Sequence, residues 1–270
     1  MKNETQIQII DSTELMSEIN RSEVDMQIRT AKQYPRDIEA ALSKIIKLST
    51  IDTETAEDCF YALRRGGDLI EGVSVRLAEI IAACWGNLRI QTRIVGNDGR
   101  QITAIGICHD LESNLAVSVE VKRRITDKTG RTFSNDLQTL TGNAASSIAF
   151  RNAVLKVVPK AVTKKAVEEI KDVAVGKAFD LEEKVNRAID FFKSLNVSEE
   201  QLLQYLKISS IEEIQKEQIF ELRGLVTAIK EGTTTVEETF QKQKQPTQSK
   251  KIDKIEAAMM ESEQPKTELF

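Results

Sequence analysis

Three strand-like runs joined by two short turns, followed by one helix-like run, constrain this chain more than any other feature. The runs are Leu88–Val95, Ile102–Cys108 and Leu115–Arg124, and the helical stretch is Asn143–Val158. In the first run Leu88, Ile90, Thr92 and Ile94 alternate with Arg89, Gln91 and Arg93, the period of a half-buried strand. In the third, Leu115, Val117, Val119 and Val121 share one side. Ala116, Ser118, Glu120, Lys122 and Arg124 take the other. Gly96-Asn97-Asp98-Gly99 and Glu112-Ser113-Asn114 supply the turns. Connections this short predict an antiparallel meander.

Helices are predicted on both sides of the meander. Residues 1–22 are polar and weakly periodic and read as a flexible arm. Pro35 precedes a helical period at Ile38, Ala41, Leu42, Ile45 and Ile46. Further helices are expected at Thr53–Arg65, stopped by Gly66-Gly67, and at Ser74–Trp85, ending at Gly86-Asn87. The run after Asn143 is rich in small residues that let a helix approach a sheet. Ile148, Ala149, Ala153, Val154 and Val157 form its packed side, and Pro159 ends or bends it.

Beyond Lys171 the chain turns acidic and helical. Asp180-x-x-Glu183, Ser198-x-x-Gln201 and Ser210-x-x-Glu213 resemble capping boxes. The expected division is a flexible arm (1–22), a core (23–172), a linker around Val173–Lys177, a helical module (178–240) and a disordered tail (241–270). The fold class is α+β.

Charge is unevenly spread. From Tyr61 to Lys171 there are 17 Lys and Arg against 11 Asp and Glu, a balance of +6 in a chain of net charge −4. A basic centre between acidic flanks points to a polyanion. The candidate contacts are Arg89 and Arg93 on one strand face, Lys122, Arg123, Arg124, Lys128 and Arg131 at a strand end and its loop, and Arg151, Lys156 and Lys160 on and after the helix. Tyr61, Trp85, Phe133 and Phe150 lie in or beside apolar runs and read chiefly as core, with base stacking the alternative use.

Other chemistry finds little support. The one histidine, His109, has no nearby second zinc ligand and no G-x-S-x-G element. No P-loop motif is present. Cys59, Cys84 and Cys108 are far apart in apolar surroundings and read as buried reduced thiols. One competing motif remains, Asp110-x9-Glu120-x-Lys122 with Glu79 on the preceding helix. It is the order in which a magnesium-dependent nuclease arranges two carboxylates and a lysine. Mg2+ enters only with that alternative. A third reading is a non-enzymatic phage protein-interaction module. The N-terminus lacks a signal peptide's charged-then-apolar order and no apolar run is long enough for a membrane span, so a cytoplasmic location is expected.

The helix carries a resemblance. Asn143-Ala144-Ala145-Ser146-Ser147-Ile148-Ala149-Phe150-Arg151-Asn152-Ala153-Val154 resembles the small-residue, then Arg-Asn helix of the phage single-strand annealing recombinases, the RecT, Erf and Red-beta groups. The resemblance implies a β-β-β-α core with a basic groove, assembly into rings or filaments, and annealing of complementary strands without ATP or another cofactor. It places Arg151, Asn152 and Lys156 on the motif helix, and the basic residues of the third strand correspond by placement. The helical pattern from Val197 to Phe240 is similar to small modules that end many phage recombination proteins. It implies a partner exonuclease or a host single-strand-binding protein. The aromatic-rich central segment of the RecT group is absent.

Overall fold

The computed structural model describes residues 12–65, 68–175 and 181–240. Its centre is the expected meander, β3 (Leu88–Asn97), β4 (Gln101–Asp110) and β5 (Leu115–Arg124), antiparallel in the order β3-β4-β5. Direct partners include Arg89 with His109, Arg93 with Ile105, Ile105 with Glu120 and Thr103 with Lys122. A bulge between Ile94 and Gly96 bends the end of β3.

Along one face runs α5 (Asn135–Val157), eight residues longer at its start than the sequence period suggests. Ser134 caps the true start, its hydroxyl accepting from the Leu137 N–H. Thr139, Thr141 and Gly142 are weak helix formers that conceal this first stretch. The packed side carries small residues. Gly142 lies over Ile94 and Ile102, Ala145 and Ala149 pack on Ala104, and Gly106 faces the Ala149 carbonyl with no room for a Cβ. Helix and β4 therefore run side by side in the same direction. Ile148, Ala149, Ala153, Val154 and Val157 are all buried.

The N-terminal helices are α1 (Ser12–Gln33), α2 (Ile38–Ser49) and α3 (Thr53–Asp58), and α4 (Val75–Trp85) precedes the meander. Residues 12–22, expected as an arm, begin α1; residues 1–11 lie outside the described residues. Asp37 and Asp52 cap α2 and α3 through the Ala40 and Thr55 N–H groups. The helix expected to continue to Arg65 stops at Asp58. In its place stand β1 (Phe60–Arg65) and β2 (Asp68–Val73), an antiparallel pair separated by Gly66-Gly67. Two glycines between apolar runs are a hairpin signal as well as a helix stop, and here the hairpin prevails.

α6 (Lys160–Val175) follows Pro159 and absorbs the first part of the expected linker. Val162, Ala166, Ile170 and Ala174 join Ile45, Leu77, Ile81 and Val154 in the main core. Then come α7 (Leu181–Ser194), α8 (Glu199–Leu206), α9 (Lys216–Lys230) and α10 (Val236–Phe240), built around Phe192, Leu202, Leu222 and Leu225. Ser198 and Gln201 form the expected reciprocal cap. Ser210-x-x-Glu213 does not: it falls in a 3-10 turn, and Glu213 accepts from the Ser209 N–H. Asp180 and the tail from residue 241 lie outside the described residues.

The helices of the C-terminal segment share a wall with the core. Leu63 of β1 belongs to their cluster, Phe60 stacks on Phe220 with ring centroids 4.1 Å apart, and Gly224 brings α9 against Ala62. The hairpin is thus the joint between the two cores.

Candidate nucleic-acid interface

Strand register sorts the basic residues. Antiparallel partners share a face and neighbours alternate. The side away from α5 therefore carries Arg89, Gln91 and Arg93 from β3, Thr103, Ile105, Ile107 and His109 from β4, and Ala116, Ser118, Glu120, Lys122 and Arg124 from β5. None of these side chains is buried. Four cations meet one carboxylate, Glu120, which pairs with Lys122 at 3.1 Å while both stay more than half exposed. Solvent screening leaves such a pair little strength, so Lys122 can exchange it for a phosphate. The end of α1 touches the rim, where the Arg89 guanidinium donates to Gln27 at 2.9 Å.

Lys128 and Arg131 are exposed in the loop that follows β5, beyond Arg124. Their loop is fastened to the β3–β4 turn by the Ile125 N–H on the Arg100 carbonyl and the Thr132 hydroxyl on the Gly99 carbonyl. The Thr129 hydroxyl and the Arg131 N–H hold the Asp127 carboxyl below its usual range. Bonds from the Gln101 and Arg100 N–H groups do the same for Asp98. Arg100, at the same end, was not among the sequence candidates; it stands in a turn, where strand alternation gives no signal.

The remaining candidates go elsewhere. Arg123 points to the α5 side and donates to the Gly232 carbonyl at the end of α9. Arg151 is 6% exposed, stacks on Tyr61 at 4.9 Å and faces Glu231 at 3.6 Å, with its Nε on Asn152 at 3.4 Å. Gly72, opposite Tyr61 in the hairpin, leaves the space its ring occupies. Glu231 also accepts from the Val75 N–H at the start of α4, at 2.6 Å. Burial still raises its carboxyl above the ordinary value, so Arg151 and that N–H only partly offset desolvation. Arg64 is likewise engaged by Glu221 on α9. Lys156 is exposed on α5, on the far side of the sheet from the open face, and Lys160 is exposed at the start of α6. The grouping of Arg123, Arg151, Asn152, Lys156 and Lys160 with the strand cations is therefore not what the fold produces.

The three carboxylates of the nuclease pattern stand apart. Asp110 lies on the α5 face and Glu120 on the open one, five strand rows away, or about 17 Å. Glu79 is paired on its own helix with Arg76 at 2.7 Å. Asp110 and Glu112 instead clamp Arg36, with bonds of 2.6–2.8 Å, while its guanidinium lies 4.7 Å over Trp85. Burial alone would raise Asp110; Arg36 and the Glu112 and Ser113 N–H groups outweigh it and hold it low. A lowered folded pKa stabilises above the unfolded value, about 4, and that gain is lost as pH falls through the folded one. Asp110→Asn should therefore cost about 3 kcal/mol near neutral pH. The gap from wild type should close below about pH 4, read by urea unfolding at several pH values. A gap independent of pH would contradict the clamp.

Compared with protein-family models, curated proteins and solved structures, the chain matches none. Among the described residues no helix is long and apolar enough to cross a membrane.

Proposed function

We propose that this protein binds single-stranded DNA on the open face of its meander and pairs it with a complementary strand without ATP. The observation that carries the reading is the gathering of Arg89, Arg93, Lys122 and Arg124 on one sheet face that stays open among the described residues, with a single strand carboxylate, Glu120, among them. The cations run diagonally, from the Arg89 row to the Arg124 row. That is eight residues along the strands, or about 27 Å. A track of this length follows a backbone rather than grips one phosphate. The order of meander and helix supports the annealing form of the reading, as does the resemblance of the α5 sequence to annealing recombinases.

Assembly into rings or filaments belongs to the same proposal. So does a protein partner, an exonuclease or single-strand-binding protein, on the C-terminal helices. Those helices lie on the α5 side, away from the open face, and expose Glu199, Glu200, Glu212, Glu213 and Glu217. The test is an annealing assay with complementary labelled oligonucleotides, run with and without Mg2+ and ATP, alongside light scattering. The expected result is pairing that needs neither addition, from large oligomers, with strands left intact. Cleavage on adding Mg2+, or no effect on pairing, would overturn the proposal.

A further inference from the structure

The open face is more than a set of cations, because its middle strand carries none. Along β4, Thr103, Ile105, Ile107 and His109 form an uncharged floor between Arg89, Gln91 and Arg93 on one side and Ser118, Glu120 and Lys122 on the other, with Arg124 one row beyond Thr103. Ile105 and Ile107 are only half-buried, although they occupy the centre of the sheet. His109, the one histidine, is held by Asn114 with Nε2 2.9 Å from its Oδ1, which fixes the ring at the end of the floor. One strand spacing away, about 4.8 Å, stand Arg93 and Gln91 on β3 and Glu120 and Ser118 on β5, with Arg89 beside His109 and Lys122 beside Thr103. Cations at both ends and along the β3 edge of an apolar strip suit a ligand with a charged edge and an apolar face. A single nucleic-acid strand has both, and in a duplex the base faces are stacked inside.

The geometry points to a base-contacting floor: Ile105, Ile107 and His109 seat unpaired bases while the flanking cations hold phosphates, so the face selects single strands over duplex. This rests on the function proposed above. Alternate side chains on a strand repeat at about 7 Å, twice the roughly 3.4 Å per nucleotide of a stacked strand. Bases on successive floor positions are therefore unstacked from one another and the strand is extended. A base lying with one face on an isoleucine keeps its pairing edge at the side, available to a complementary strand. The floor offers no donor or acceptor at Ile105 or Ile107, so little sequence preference is expected there.

The probe is a pair of oligonucleotides of equal length, oligothymidine and its abasic counterpart, which share a backbone. Wild-type protein should bind oligothymidine tenfold or more tightly, and duplex more weakly than either side of its melted form. Ile105→Ser with Ile107→Ser should remove most of the difference between the two probes. It should leave the salt dependence, which counts phosphates, unchanged. Both positions are on the surface, and a matching thermal transition checks that the variant folds. Equal wild-type affinity for the two probes, with a normal salt dependence, overturns the floor but keeps the DNA-binding reading. No salt-dependent binding to either overturns both. Altered sedimentation of the variant with unchanged probe discrimination assigns the strip to contact between copies and also overturns the floor.

Discussion

Alanine at Arg89, Arg93, Lys122 and Arg124 together is expected to lower affinity for single-stranded DNA by roughly 10²–10³ at about 0.1 M salt. The figure follows from counterion release: four phosphate contacts on a single strand contribute a salt exponent of about 0.7 each. All four side chains leave the same sheet face, and none is tied into a buried ion pair, so the fold should survive the change. Fluorescence anisotropy with a labelled oligonucleotide measures the loss, and the thermal transition checks folding. A folded variant that binds within a few-fold of wild type would remove this face from consideration.

Arg151→Ala should do the reverse, damaging stability and sparing the DNA contacts. Removing Arg151 leaves Glu231 buried beside an empty space, with one carboxylate oxygen on the Val75 N–H and the other without a hydrogen bond. Breaking one side of a buried pair costs about 3–5 kcal/mol, and the lost stacking on Tyr61 adds to it. The melting temperature should fall by roughly 10 °C, measured by calorimetry. Below that transition the salt exponent for oligonucleotide binding should equal the wild-type value. An unchanged melting temperature with an exponent smaller by about 0.7 would return Arg151 to the phosphate-binding set.

These opposite outcomes for two basic residues show what sequence carries and what it withholds. Alternation in β5 separates Lys122 and Arg124 from Val121, and the same rule sends Arg123 to the other face, although the three stand together in the chain. The meander was legible because its turns are short and its period is two. The hairpin was not, since Phe60–Arg65 continues an acceptable helical pattern and Gly66-Gly67 punctuates either structure. The partner of Arg151 lies 80 residues away, just past the end of α9, a distance over which no local pattern operates. For the same reason the C-terminal helices looked separable, whereas Phe60 with Phe220, Arg64 with Glu221 and Arg123 with Gly232 fasten them to the core. Asp110 looked like a metal ligand because its guanidinium partner, Arg36, precedes it by 74 residues.

The central claim is that the open sheet face holds a nucleic-acid backbone at four points. The slope of log affinity against log salt for a short single-stranded oligonucleotide tests it most directly. Wild-type protein should give a slope near −3, from four contacts at about 0.7 each, and the four-alanine variant a slope near zero. A wild-type slope near zero, or one that the four substitutions leave unchanged, would contradict it.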